Sequence, residues 1–197
     1  MKTFFFFGDS LTLGVNDKSM LGWTGRFAAT VGLPVPPTTF YNLGARKNTS
    51  QAVASRWKSE VDRRTLPESD VRLMFCFGVV DMAAPQGDVL VPLEQSVANL
   101  KAVLDDAVSA FSQNNVRVLS PFPVTQEEHC DRVEALSAAY AAVCRDAGVV
   151  YIDILSHLVG TEAYMNDLSD GIHPGGRGCA IIAEYLQQQG MLADWLM

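Results

Sequence analysis

The chain is short of the features that would send it to a membrane, a secretory route or a nucleic acid. No apolar run approaches the roughly 20 residues needed to cross a bilayer. The run Phe4 to Phe7 follows a single lysine, but it is shorter than the apolar core of a signal peptide (about 7–15 residues) and no small-residue cleavage site follows it. The sequence is therefore read as cytoplasmic, and the sequon Asn48-Thr49-Ser50 carries little meaning without a secretory signal. Lys and Arg number 15 against 22 Asp and Glu, for a net charge of −7. Nucleic-acid affinity rests on clustered cations, so a nucleic-acid partner is not expected. The four cysteines, at 76, 130, 144 and 179, form no Cys-x-x-Cys and read as small buried hydrophobes. There are only three histidines, with no helical His pair and no Cys/His cluster, so no metal site is expected. No Gly-x-Gly-x-x-Gly or P-loop follows a strand signal, which leaves a nucleotide- or flavin-binding reading with little support.

What remains is an ordinary globular composition. The 197 residues are 48% hydrophobic and 19% charged, enough chain to bury one core, and residues 1–197 read as a single domain. Thr3–Phe7 is apolar on both faces, the mark of a central strand in a covered parallel sheet. Residues 11–20 read as a polar, glycine-containing loop. Gly22–Val31 carries Trp23, Phe27, Ala28 and Val31 at helical spacing with Gly32 as its stop, and Pro34-Val-Pro-Pro37 then breaks the chain. Further strands are predicted at Thr39–Asn42, Val71–Phe77, Val116–Leu119 and Val149–Ile152. Helices are predicted near 50–64 (capped by Thr49 or Ser50), 93–111, 127–147 and 175–189. Residues 153–173 read as irregular chain, and a loop that long in a compact domain is usually functional. Strands alternating with helices argue for an α/β protein, a five-stranded parallel sheet covered on both faces.

The chemistry-bearing residues lie at opposite ends. Ser10 follows the first strand within Gly8-Asp9-Ser10-Leu11, where ligands bind beyond the carboxyl ends of parallel strands. A serine hydroxyl is inert without a base, and on its own Ser10 would read as a turn or cap residue. His173 stands in Asp170-Gly-Ile-His173-Pro174. The proline disfavours helical backbone at 173 and suits the first turn of the next helix, so the imidazole is presented from a loop. Asp170 can fold back onto Nδ1 and leave Nε2 free for a hydroxyl proton, with Asp153 and Asp167 as rival orienters. His129 and His157 lack a comparable Ser or Asp. A nucleophile at one end and its base at the other imply that the termini of the sheet edges meet.

Together these pieces resemble the SGNH (GDSL) hydrolases: Gly8-Asp9-Ser10-Leu11, the Gly44 turn, the Gly78 loop and Asp170-Gly-Ile-His173-Pro174, with a likeness spanning nearly the whole chain. The resemblance implies a flavodoxin-like three-layer α/β/α sandwich and a cofactor-independent esterase or acylhydrolase. It implies Ser10 as nucleophile, His173 as general base and acid, Asp170 as its orienter, and the backbone N–H groups of Ser10 and Gly44 as oxyanion donors. One block departs. Where the family has Gly-x-Asn-Asp, this chain has Gly78-Val79-Val80-Asp81, so Val80 stands where the donating Asn is expected. Loss of one such donor costs about 10²–10³ in rate unless another group, such as Asn42, Asn48 or a donor on the substrate, replaces it. The substrate pocket is expected to draw on Asp9, Leu11, Met20, Val79, Met82, Phe122 and Ile172, with Leu21 and Tyr164 in the same loops. The expected substrates are small or short-chain acyl esters, including carbohydrate O-acetyl esters. The competing reading, motivated by Val80, is a catalytically weak binding protein on the same scaffold.

Overall fold

The computed structural model describes residues 1–31 and 38–197, and Gly32 and the Pro34–Pro37 linker lie outside the described residues. Five strands, β1 (Lys2–Gly8), β2 (Thr38–Gly44), β3 (Asp70–Cys76), β4 (Val116–Leu119) and β5 (Val150–Ile152), form one parallel sheet in the order β2-β1-β3-β4-β5. This is the doubly wound arrangement the sequence resemblance implies.

The run of phenylalanines explains why β1 lies inside. Period-2 alternation sends Phe4 and Phe6 to one face and Phe5 and Phe7 to the other. Phe6 meets Trp23 and Phe27 of α2 (Gly22–Thr30) edge-on at 5.6 and 6.2 Å, and Phe4 meets Trp195 at 5.0 Å. On the opposite face Phe7 stacks on Phe75 at 5.5 Å, and Phe75 meets Trp57 of α3 (Ser50–Arg64) at 5.8 Å. All four β1 phenylalanines are at most 1% exposed. Truncating any one to Ala would cost about 3–5 kcal/mol.

The other long helices are α4 (Leu93–Phe111) and α5 (Glu127–Asp146), close to the sequence expectation. Thr49 caps α3, its hydroxyl accepting the Ala52 N–H at 3.3 Å. Three expectations change, and the C-terminal tail gains a short helix. The loop after β1 begins with a short helix, α1 (Ser10–Leu13). The 153–173 segment holds α6 (Leu155–Val159) and α7 (Glu162–Met165) rather than only irregular chain. The tail folds through a 3₁₀ turn into α9 (Ala193–Leu196), which buries Trp195. Finally, β1 is an inner strand, so sheet edges do not meet. Instead the chain after the edge strand β5 returns across the carboxyl ends, and α8 (Gly176–Gln187) packs against α2.

The register aligns Gly8 with Gly44 on one side and with Cys76 on the other. The carboxyl ends of β1, β2 and β3 are therefore level, at the point where the strand order reverses. Two glycines let α1 lie against those ends. A Cβ on Gly44 would stand 2.2 Å from the Leu13 nitrogen, and one on Gly8 would stand 2.1 Å from both the Cys76 carbonyl and Thr12 Oγ1. Ser10 thus emerges in the switch-point crevice.

Candidate active site

Asp9 caps α1, its carboxylate accepting the Leu11 N–H at 2.8 Å, and this places Ser10 as the first helical residue. The sharp strand-to-helix turn leaves the Ser10 side chain at the crevice floor, 8% exposed. The Ser10 N–H, an orphan donor of the helix start, has no acceptor among the described residues.

Residues 170–173 form a turn wired by one carboxylate. Asp170 Oδ1 accepts the Ile172 and His173 N–H groups at 3.0 and 2.8 Å, while Gly171 adopts φ +83. Asp170 Oδ2 lies 2.7 Å from His173 Nδ1. A carboxylate only accepts, so Nδ1 carries the proton and Nε2 presents a lone pair. That Nε2 lies 2.8 Å from Ser10 Oγ, across 163 residues of chain. Partial burial pushes Asp170 up, but the hydrogen bonds from His173 and Ile172 outweigh it and hold the carboxyl below its ordinary range. The rival orienters are engaged elsewhere. Asp153 accepts from Ser156, and Asp167 accepts the Gly178 N–H at 2.7 Å in the first turn of α8. His157 stacks on Tyr185 with centroids 4.6 Å apart.

Side-chain tethers hold the two loops together. Asn16 Nδ2 donates to Ser169 Oγ and to the His173 carbonyl, both at 3.2 Å. Buried Asp17 accepts from the Ser19 and Gly22 N–H groups, the Ser19 hydroxyl and the Arg26 guanidinium, which holds its carboxyl far below the usual range. Thr125 N–H donates to the Gly171 carbonyl at 2.9 Å, bracing the histidine turn from the β4 side.

Two buried carboxyls lie under the crevice. Asp81 accepts the Ser50 N–H at 2.8 Å and the Ser96 hydroxyl at 2.5 Å, and Ser96 in turn meets Tyr140 Oη at 2.6 Å. Burial raises Asp81 despite those bonds. Asp9 is 1% exposed and its Oδ2 has no partner. Burial, with a further push from Asp81, raises its carboxyl to about 7.

The crevice opens into a cleft of about 400 Å³ with apolar walls of Leu11, Val79, Val80, Ala83, Leu90 and Ile172. Of the expected pocket residues, Asp9, Leu11, Val79 and Ile172 line it. Three do not. Met20, 87% exposed with φ +61, lies in a neighbouring depression beside Leu13 and Arg46, because the left-handed backbone turns it away. Met82 is 2% exposed beneath its loop, where its carbonyl accepts from Arg132 Nε. Phe122 is fully buried against Trp23 at 6.2 Å. Leu21, half exposed, and Tyr164, fully buried, also stay out of the cleft wall. Conversely, Lys47 and His129 line the cleft without having been singled out. His129 is 5% exposed and donates from Nε2 to the Val79 carbonyl at 2.8 Å, and burial pushes its imidazole below a free histidine's range.

On the oxyanion side the donors are sparse. Val80 is half buried and lines the cleft, and its side chain has nothing to donate. The Gly44 N–H is engaged, donating to Asn42 Oδ1 at 3.0 Å. Neither asparagine swings in. Asn42 Nδ2 donates to the Leu13 carbonyl at 3.3 Å, while Asn48 Oδ1 accepts Arg56 Nε at 2.8 Å. Among the described residues no group of three or more His, Cys, Asp or Glu could hold a metal ion, and no helix is long and apolar enough to cross a membrane.

Comparison with known proteins fits this architecture. Solved structures of similar fold include a lipase/acylhydrolase from Enterococcus faecalis (19% identity, 95% of this chain and 94% of that one, TM-score 0.74). An acetylxylan esterase from Geobacillus stearothermophilus is similar as well (15% identity, 98% and 93%, TM-score 0.76). So is a member of the lipolytic G-D-S-L family from Veillonella parvula (17% identity, 93% and 95%, TM-score 0.72). At these identities the likeness establishes the fold. No curated protein sequence matches the chain. Residues 6–181, however, match the model of the GDSL-like Lipase/Acylhydrolase family. The chain belongs to that family and is a hydrolase acting on ester bonds.

Proposed function

We propose that the chain is a serine esterase working through Ser10, His173 and Asp170 on small or short-chain acyl esters, carbohydrate O-acetyl esters among them. The observation that carries this reading is the continuous relay from Asp170 Oδ2 through both nitrogens of His173 to Ser10 Oγ, at 2.7 and 2.8 Å. His173 Nε2 takes the Ser10 proton as Oγ bonds to the acyl carbon. The resulting oxyanion is held by the Ser10 N–H. His173 then returns the proton to the departing alkoxide, and water, deprotonated by the same imidazole, hydrolyses the acyl-enzyme and frees Ser10. Asp170 stays ionised throughout and fixes the tautomer. The imidazole must be neutral to accept the proton.

The size of the cleft supports a short acyl group. Its apolar walls and volume of about 400 Å³ lie at the small end of ligand pockets. The acetyl-ester reading also draws on the acetylxylan esterase of similar fold. Val80 favours a second reading, a binding protein of low turnover on the same scaffold. A panel of p-nitrophenyl esters of increasing chain length and of acetylated sugars, run beside Ser10→Ala, separates the two. Turnover greatest on acetyl and butyryl esters and lost in Ser10→Ala supports the esterase. Turnover that survives Ser10→Ala overturns it.

A further inference from the structure

The cleft has a chemical requirement that the Ser10 N–H meets only in part. An oxyanion forming at Ser10 needs donors already aimed at it, and such donors are among the largest contributors to catalysis of this kind. The Val80 side chain offers none, the Gly44 N–H is held by Asn42, and the side chains of Asn42 and Asn48 are bonded elsewhere. Among the described residues lining the cleft, Lys47 alone carries an ammonium group, and it forms no ion pair or side-chain hydrogen bond.

The backbone beneath that lysine is held in place. Lys47 adopts φ +60, inside a turn closed by the Asn48 N–H on the Ala45 carbonyl at 3.2 Å. Arg56 ties the turn down, reaching Asn48 Oδ1 at 2.8 Å, the Leu43 carbonyl at 2.7 Å and the Gly8 carbonyl at 3.2 Å. Gly8 is the last residue of the strand that delivers Ser10, so one guanidinium couples the two segments. A non-glycine residue in the left-handed region costs energy and persists where its surroundings demand it.

We propose that the Lys47 ammonium is a further oxyanion donor of the esterase, doing the work of the amide expected at position 80. This rests on the Ser10 mechanism above. An ammonium brings three donors and a full charge on a flexible stem, so it tolerates imperfect placement better than a neutral amide. As the acyl carbonyl becomes tetrahedral its oxygen gains negative charge, and the interaction with Lys47 strengthens in the transition state, which lowers the barrier rather than KM.

The test is a kinetic set on p-nitrophenyl acetate and on the anionic p-nitrophenyl hemisuccinate. It compares the wild-type protein with Lys47→Met, Lys47→Gly (which suits the left-handed backbone), Lys47→Arg and Lys47→Met/Val80→Asn, with melting temperatures to confirm folding. Loss of the ammonium is expected to lower kcat on the neutral ester by about 10–10²-fold with KM nearly unchanged. Lys47→Arg should keep most of the rate, and adding Val80→Asn to Lys47→Met should restore most of it. Unchanged kcat in both Lys47→Met and Lys47→Gly would overturn the proposal. So would a defect confined to KM for the hemisuccinate, which would make Lys47 a reader of substrate charge. A kcat loss that persists both in Lys47→Arg and in Lys47→Met/Val80→Asn would overturn it too. Ser10→Ala in the same assay separates the two claims, because activity retained there defeats the serine mechanism itself.

Discussion

The two sides of the cleft differ in how their polar groups are engaged. On the proton-transfer side each atom is oriented by a neighbour. Asp170 is fixed by two backbone N–H groups, His173 by Asp170, and the whole turn by Asn16 and Thr125. On the oxyanion side the position facing the cleft is a valine, and the nearby glycine N–H is already paired. The first side is preorganised by one short turn and its two tethers. The second draws its members from the start of α1, the end of β2 with the turn after it, and the loop after β3, and in the proposed mechanism its charge stabilisation falls to the Ser10 N–H and Lys47.

The largest effects should fall on the well-wired side. Ser10→Ala or His173→Ala is expected to lower kcat by about 10⁴–10⁶-fold, measured with a short-chain p-nitrophenyl ester. A loss under about tenfold in both would break the contrast between the two sides. Asp170→Asn keeps the turn but presents an amide to Nδ1, and should cost less, about 10²–10⁴-fold. If it costs nothing, the tautomer is set by some other group.

A third prediction concerns the floor both sides share. In the folded chain the Asp9 carboxyl titrates near 7, against 3.8 for a free side chain. A raised carboxyl pKa means that the folded state holds a proton the unfolded state has released. The associated stability is fully present below about pH 4 and is lost as pH rises toward 7. Asp9→Asn keeps a good helix cap and removes the buried charge. Its melting temperature should exceed the wild-type value by about 3–10 °C at pH 8, with the gain shrinking toward pH 4. An equal change at both pH values would rule out an ionising Asp9. The smallest effect is expected from Asn16→Ala, which removes the exposed tether between the nucleophile loop and the histidine turn. It should lower kcat by about two- to tenfold, and a larger loss would show that the turn is held less firmly by Asp170 and Thr125 than their bonds suggest.

What could be read from the sequence follows the range of the interactions involved. β1 was legible because four consecutive phenylalanines need cover on both faces. The α3 cap was legible to within one residue, as Thr49 or Ser50, and the histidine turn from Asp170 and Pro174, since each depends on residues a few positions apart. The short helices α1, α6, α7 and α9 were not, because elements of four or five residues are marginal alone and form on tertiary contacts such as the burial of Trp195. Pocket membership divided the same way. Leu11, Val79 and Ile172 neighbour the motif residues, whereas Met20 was misjudged because left-handed backbone in its loop redirects its side chain. Lys47 and His129 belong to no local motif. They reach the cleft only because the chain after β2 and the start of α5 lie there, although the position of Lys47 three residues after Gly44 was a signal that could have been used.

In the proposed mechanism Ser10 forms the covalent intermediate with His173 as its base. Acid-quenching the protein during turnover of p-nitrophenyl acetate and mapping the added acetyl group by peptide mass spectrometry tests it directly. An acetyl on Ser10 is expected in the wild-type protein and almost none in His173→Ala within the same time. Turnover with no acetylated Ser10, or acetylation at Ser10 that is as fast without His173, would contradict it.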